Sequence, residues 1–196
     1  MRPYVSIDIE TTGLDPDTCQ TIQVGAVIDD WETPIDELPT FNCYVNHGIF
    51  KGEPYTLSMH AAIFRLIAEA KIHHRQMYGD ARIALPEQVA HHFKVWLEKN
   101  GIHMQPGVKI LVAGKNFGAF DKGFLDRLPG WKRTIRMKHR FIDPGNMFYI
   151  PGEDDGPPDT KECLRRAGLP PHVNHTAPED AMDVVRLIRY VRDSHG

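Results

Sequence analysis

The chain has 196 residues, and its 23 Lys and Arg against 26 Asp and Glu leave a formal charge of −3, which excludes a basic nucleic-acid coat and makes one domain over residues 1–196 the expectation. A compact fold of this length buries roughly 70% of its unfolded surface, so the core needs no disulfide or structural metal, and metal ligands would call for a functional explanation. Hydrophobic residues at 41% and charged ones at 25%, with 16 Gly and 15 Pro, exclude disordered and collagen-like chains.

Val5, Ile7 and Ile9 alternate with Tyr4, Ser6, Asp8 and Glu10 before Gly13 and Pro16, which predicts an opening strand whose second face is polar. Apolar runs at Thr21 to Asp30 and Phe41 to Val45 follow at hairpin spacing and predict an antiparallel meander of three strands. From Ser58 as N-cap, Ala62, Ile63, Leu66, Ile67 and Ala70 recur at helical spacing, predicting an amphipathic helix packed on the sheet. Pro86, then Val89, Phe93, Trp96 and Leu97, then Gly101 mark a second helix with both ends visible. Lys109 to Gly114 reads as a short buried strand and Ala119 to Leu128 as the helix after it.

Seven of the 15 prolines lie between Pro129 and Pro171, so loops dominate there, apart from a strand expected at Arg140 to Asp143. Lys132, Arg133, Arg136, Lys138 and Arg140 form a basic cluster without an acid, and Glu153, Asp154, Asp155 and Asp159 form an acidic loop. Asp159 and Glu162 have capping-box spacing for a helix that Gly168 closes, and Pro178 opens a last helix carrying Ala181, Val184, Val185, Ile188 and Val191.

Asp8 and Glu10 lie two apart on one strand face, with Cα atoms about 7 Å apart, close enough to share a cation. Carboxylates held together repel and raise each other's pKa unless a positive ion neutralises them, which favours a hard divalent metal. A solvated edge strand would carry the same pattern. Asp121, just after a buried strand, is a candidate metal ligand, although its position alone favours an exposed first-turn acid. His175 precedes the last helix and Asp180 falls in its first turn. An imidazole beside an acidified water can serve as general base, but His175 is also one of 11 histidines.

Taken in order, SIDIETTGL, KNFGAFDKGFL and HTAPEDA resemble the three motifs of the DEDDh (DnaQ-like) 3′-to-5′ exonucleases, with the resemblance running from about Tyr4 to Val191. It implies an α/β chain of RNase H-like fold, a mixed five-stranded sheet flanked by helices. By position, Asp8, Glu10, Asp121 and Asp180 resemble the four metal-binding acids, and His175 resembles the general base. The tyrosine-type branch is disfavoured, because Thr176 stands where that branch has its Tyr. Thr11, Thr12, Gly13 and Leu14 resemble the segment that holds the terminal nucleotide, and Asn116 matches the second motif. Lys115 departs from the His of many relatives, and Pro144 after Asp143 departs from the usual Thr.

The resemblance implies two divalent cations, Mg²⁺ or Mn²⁺, and hydrolysis of single-stranded DNA or unpaired 3′ ends to nucleoside monophosphates. An exoribonuclease or oligoribonuclease is the alternative, followed by a catalytically silent nucleic-acid-binding module and an RNase H-type endonuclease. The basic cluster is expected to track a phosphate backbone or to be a solvated face. Tyr55, Phe64 and Phe117 are candidate base-stacking groups or core residues, and His60 lies near the predicted helix start. Three widely spaced cysteines without a CxxC pair, a charged N-terminal stretch and no run of about 20 apolar residues lead to a cytoplasmic expectation, or host cytoplasm for a phage-encoded chain. A polymerase bound non-covalently and a homodimer both stay open as partners, and no membrane is expected.

Overall fold

The computed structural model describes residues 2–170 and 176–194. The meander forms as expected: β1 (Tyr4–Thr11), β2 (Thr21–Asp29) and β3 (Thr40–Val45) pair antiparallel in succession. Two helices follow, α1 (Pro54–Met59) and α2 (Ala61–Ile72), so Ser58 sits in the last turn of α1 and caps nothing. A hairpin of β4 (Met77–Tyr78) and β5 (Ala81–Ala84), turning at Gly79 with φ 61°, leads into α3 (Pro86–Lys99). Next come β6 (Val112–Ala113), α4 (Asp121–Leu125), α5 (Trp131–Thr134), α6 (Pro144–Met147), α7 (Thr160–Arg166) and α8 (Ala177–Ser194).

The sheet is mixed and has six strands in the order β4-β5-β3-β2-β1-β6, one more than expected, with β3–β5 and β1–β6 parallel. The extra strand is half of a hairpin too short to show alternation. Arg140 to Asp143 is not a strand: only Ile142 bridges Ala113, and Asp143 turns the chain into α6 by accepting the Gly145 N–H at 2.8 Å. Sequence-read helix ends fare better. Gln88 reaches back to the Leu85 N–H at the start of α3, Gly101 follows α3 at φ 83°, and Asp159 accepts the Glu162 N–H at the start of α7. None of the helices among the described residues is long and apolar enough to cross a membrane.

Side-chain alternation assigns the two sheet faces. Val5, Ile7, Ile9, Val24 and Phe41 join the main core against Val89, Phe93 and Leu97 of α3 and against Phe124, Leu125 and Trp131. Tyr4 and Val27 face the other way and pack on Ala181, Val184, Val185 and Ile188 of α8. The polar face of β1 therefore lies beneath the last helix. Leu187 on the outer side of α8 packs in turn on Cys163 and Leu164 of α7. As expected, α2 packs on the sheet, at its edge strand β4, and also on α1, but it buries only Ile67 and Ala70, leaving the rest of its apolar stripe for a cleft.

Three contacts fix α8 on the sheet. Gly25, opposite Asp8 in the register, lies under the start of α8, where a Cβ would collide with the Ala177 backbone. Buried Gln23 beside it accepts the Ala177 N–H at 3.4 Å while donating to Asn42 Oδ1 at 3.0 Å, so the first turn has a partner for an otherwise orphan donor. At the far end, Arg189 donates to fully buried Asp29 at 2.6 and 3.2 Å. Breaking such a pair costs about 3–5 kcal/mol, because the remaining charge stays desolvated. Gly25→Ala is expected to lower unfolding stability in urea by about 1–3 kcal/mol through overpacking, whereas Gly156→Ala, where a Cβ has open space, stays within about 0.5 kcal/mol of the parent.

Candidate metal and nucleotide site

The polar face of β1 is the nucleus of the site. β1 lies between β2 and β6; Asp8 and Glu10 stand beyond the short β6 pairing at Val5 and Ser6, yet both are partly buried rather than on a solvated edge. Asp180, three residues into α8, comes down beside them: one carboxylate oxygen from each of Asp8, Glu10 and Asp180 lies within 4.8 Å of the others, and all three residues are partly buried. Asp121, the first residue of α4, is 4% exposed and lies outside this trio, but close enough for its charge to act on Asp8 and Glu10.

Their electrostatics agree with a shared cleft. Burial, followed by the charges of Asp121, Asp180 and Glu10, pushes Asp8 well above the usual carboxylate range. Burial and then Asp180 and Asp121 push Glu10 up to about 8. Burial is also the first cause for Asp121, pushed up to about 7, with nearby backbone N–H groups working against it and Asp143 adding to it. A set of hard oxygen donors that repel one another is chemically suited to a divalent cation and unsuited to an apolar ligand.

Asp8, Glu10 and Asp180 line a cleft of about 720 Å³ together with Tyr44, Met59, Ile63 and Leu66. Sequence reasoning did not assign the last four residues: Ile63 and Leu66 of α2 read as a stripe packed on the sheet, and Tyr44 on β3 and Met59 in α1 carry no motif. His60, at the α1–α2 junction, is buried, with Nε2 3.4 Å from Glu10 Oε2. Desolvation pushes this imidazole below its ordinary value.

The remaining candidates divide. Thr11 and Thr12 are buried and serve the turn: Thr11 Oγ1 donates to Gly13 O at 2.8 Å, and Thr12 Oγ1 donates to Lys51 O at 2.5 Å while accepting the Gln20 N–H at 2.8 Å. A Cβ on Gly13 would sit 2.5 Å from Cys19 Sγ, so a side chain there would require the Cys19 and Glu53 side chains to shift. Leu14 stands out from it, 74% exposed, its N–H donating to Glu53 Oε1 at 3.2 Å. Asn116 is exposed in a left-handed turn at φ 57°, held by its N–H donating to Asp143 Oδ2 at 2.9 Å. Of the stacking candidates, Phe117 is core, Phe64 packs on Phe50 with ring centroids 4.7 Å apart, and Tyr55 is 79% exposed. His175 lies outside the described residues.

No protein-family model matches the chain, and no curated protein matches it in sequence. Solved structures do match it. The structure of E. coli Exonuclease I in complex with a dT13 oligonucleotide is 16% identical, with a TM-score of 0.62 over 98% of this chain and 41% of that one. A moderately thermophilic Exonuclease I from Methylocaldum szegediense is 17% identical, with a TM-score of 0.65 over 98% of this chain and 41% of that one. The zinc-bound form of the E. coli ExoI–ssDNA complex is 15% identical, at a TM-score of 0.62 over 98% and 41%. The chain thus spans about two fifths of the length of these structures. At such identities the likeness shows the fold, a mixed sheet flanked by helices of the RNase H-like kind.

Proposed function

We propose that the chain is a DEDDh-type, divalent-metal-dependent 3′-to-5′ exonuclease that hydrolyses single-stranded DNA to nucleoside monophosphates. One observation carries the reading: Asp8, Glu10 and Asp180, remote in sequence, turn carboxylate oxygens to a common point within 4.8 Å. The order of the three motifs and the likeness to Exonuclease I structures containing DNA oligonucleotides support it.

When bound, a pair of Mg²⁺ or Mn²⁺ ions would acidify the attacking water and offset charge on the scissile phosphate and the departing 3′ oxygen. Asp8, Glu10 and Asp180 would hold the cations, with Asp121 adding its charge. His60 packs on Glu10 and limits the carboxylate's freedom. His175, two residues before α8, would take the proton of the attacking water. Leu14 would wedge against the terminal base while the Thr11–Gly13 turn keeps its place, and the apolar wall of Met59 and Leu66 would exclude water from the nucleotide.

The deciding experiment is a product ladder from 5′-labelled and 3′-labelled DNA and RNA of the same sequence, with Mg²⁺ and with chelator. Stepwise shortening of 5′-labelled DNA, only with metal, is expected. Faster turnover of RNA would move the chain to the exoribonucleases, and metal-independent cleavage would overturn the reading. Asp8→Asn is expected to reduce turnover to background with an unchanged far-UV circular dichroism spectrum. His175→Ala is expected to slow cleavage by about 10²- to 10⁴-fold without loss of Mg²⁺ binding, checked by single-turnover kinetics and calorimetry.

The carboxylate cluster also makes a stability prediction. Glu10 rises from an ordinary 4.5 to about 8 on folding, so between those values the folded state binds more protons than the unfolded one. The metal-free protein therefore loses stability as pH rises through that window. Mg²⁺ is expected to raise Tm, and by more at pH 8 than at pH 5.5, as read by differential scanning fluorimetry.

A further inference from the structure

A second cleft lies beyond the β6 edge of the sheet and has a character opposite to the first. It measures about 490 Å³ and gathers Lys109, Lys122, Lys132, Arg136 and Lys138 around a single acid, Asp126. Its cations come from three separate stretches of chain, and the local pairing explains why they converge. The Ile110 N–H donates to Arg136 O and the Lys138 N–H donates to Ile110 O, both at 2.9 Å, which lays the two stretches side by side. Ile110 and Met137 turn inward to the main core, so by strand alternation their neighbours Lys109, Arg136 and Lys138 turn outward, and all three are exposed. Asp126 engages Lys122 at 2.5 Å and Lys132 at 3.6 Å, which leaves a clear positive excess on a chain whose total charge is −3.

The basic cluster read from the sequence is thereby divided. Lys132, Arg136 and Lys138 line this cleft together with Lys109 and Lys122, whereas Arg133 lines a smaller depression with Lys94, which Arg136 also borders, and Arg140 lines neither. The cleft is joined to the carboxylate cluster through α4 and to the Asn116 turn through Phe141. α4 starts with Asp121 at the acidic cluster and continues with Lys122 in the basic cleft. Phe141 lines the cleft and packs on Phe117, with ring centroids 5.0 Å apart, directly after the Asn116 turn. β6 runs parallel to β1, so the cleft at Lys109 lies toward the end of the sheet opposite Asp8 and Glu10.

We propose that this cleft holds the sugar-phosphate backbone of a single strand some nucleotides upstream of the 3′ end that enters the carboxylate site. The assignment rests on the exonuclease reading for the polarity of the strand, not for its chemistry. Lysine and arginine spaced around a groove with Phe141 in its lining match a polyphosphate backbone carrying bases.

The test is fluorescence anisotropy of a 5′-labelled oligo-dT with the whole chain in EDTA, over a range of salt, so that no catalysis contributes. The triple variant Lys109→Gln, Arg136→Gln, Lys138→Gln changes exposed side chains outside the Asp126 pairs. It is expected to bind about 10- to 100-fold more weakly, and the slope of log K against log salt is expected to fall by about two, since each lost single-strand phosphate contact removes about 0.7. The charge-keeping set Lys109→Arg, Arg136→Lys, Lys138→Arg is expected to bind as the parent does. Unchanged affinity and slope in the Gln variant would overturn the proposal, and so would polyglutamate displacing the oligonucleotide at equal charge concentration. Charge-dependent binding by a parent that cleaves nothing with Mg²⁺ would sustain the cleft and remove the exonuclease reading instead.

Discussion

Mutual repulsion among carboxylates is the constraint to which the rest of the structure answers. Asp8 and Glu10 lie on an interior strand, and the last helix adds Asp180 to the same few ångströms. Desolvated like charges oppose folding, and the cost is visible in Glu10, raised to about 8, and Asp121, raised to about 7. A fold keeps such an arrangement only where the surrounding packing over-determines it. Here the surroundings are strong: apolar alternation on the opposite face of β1, a second apolar layer under α8, and a buried ion pair at the far end of that helix.

The means by which α8 is fixed connect local sequence to site geometry. Gly25 removes a side chain where the helix start must touch the sheet, and Gln23 supplies an acceptor to its first turn. Arg189 and Asp29 then hold the other end some three turns away. Helix orientation is set at both ends, so the position of Asp180 is fixed by groups that have no part in chemistry. The Thr11–Gly13 turn behaves similarly. Its hydroxyls are spent on backbone partners, and what it presents outward is Leu14.

Charge is separated across the molecule in a way that its net value conceals. An acidic cleft toward one end of β1 and a basic cleft at the β6 edge are bridged by the short helix α4, whose buried Asp121 acts by its charge on Asp8 and Glu10 of the first and whose Lys122 lines the second. A nucleic-acid strand carries negative charge along its whole length, and only its reacting phosphate needs cations between itself and protein carboxylates. Elsewhere along the strand, direct contact with lysine and arginine meets the same charge. Under the proposed function, the two clefts suit these two needs.

Periodicity and punctuation made the meander, α3, α7 and α8 legible in the sequence, because strand alternation, Pro at helix starts and Gly beyond helix ends act over a few residues. The same local rules missed the β4–β5 hairpin, with strands too short to alternate, and placed a strand at Arg140 to Asp143 where only one bridge forms. They also read Ile63 and Leu66 as core, since an apolar stripe looks alike whether it faces a core or a cleft. The acids themselves could be picked out by their spacing and by the resemblance they carry. That Asp8, Glu10 and Asp180 meet, that His60 and Tyr44 border them, and that Lys109 joins Arg136 and Lys138 were decided by tertiary structure alone. Residue type and spacing act along the chain, whereas convergence depends on which strands pair and on where a long helix comes to rest.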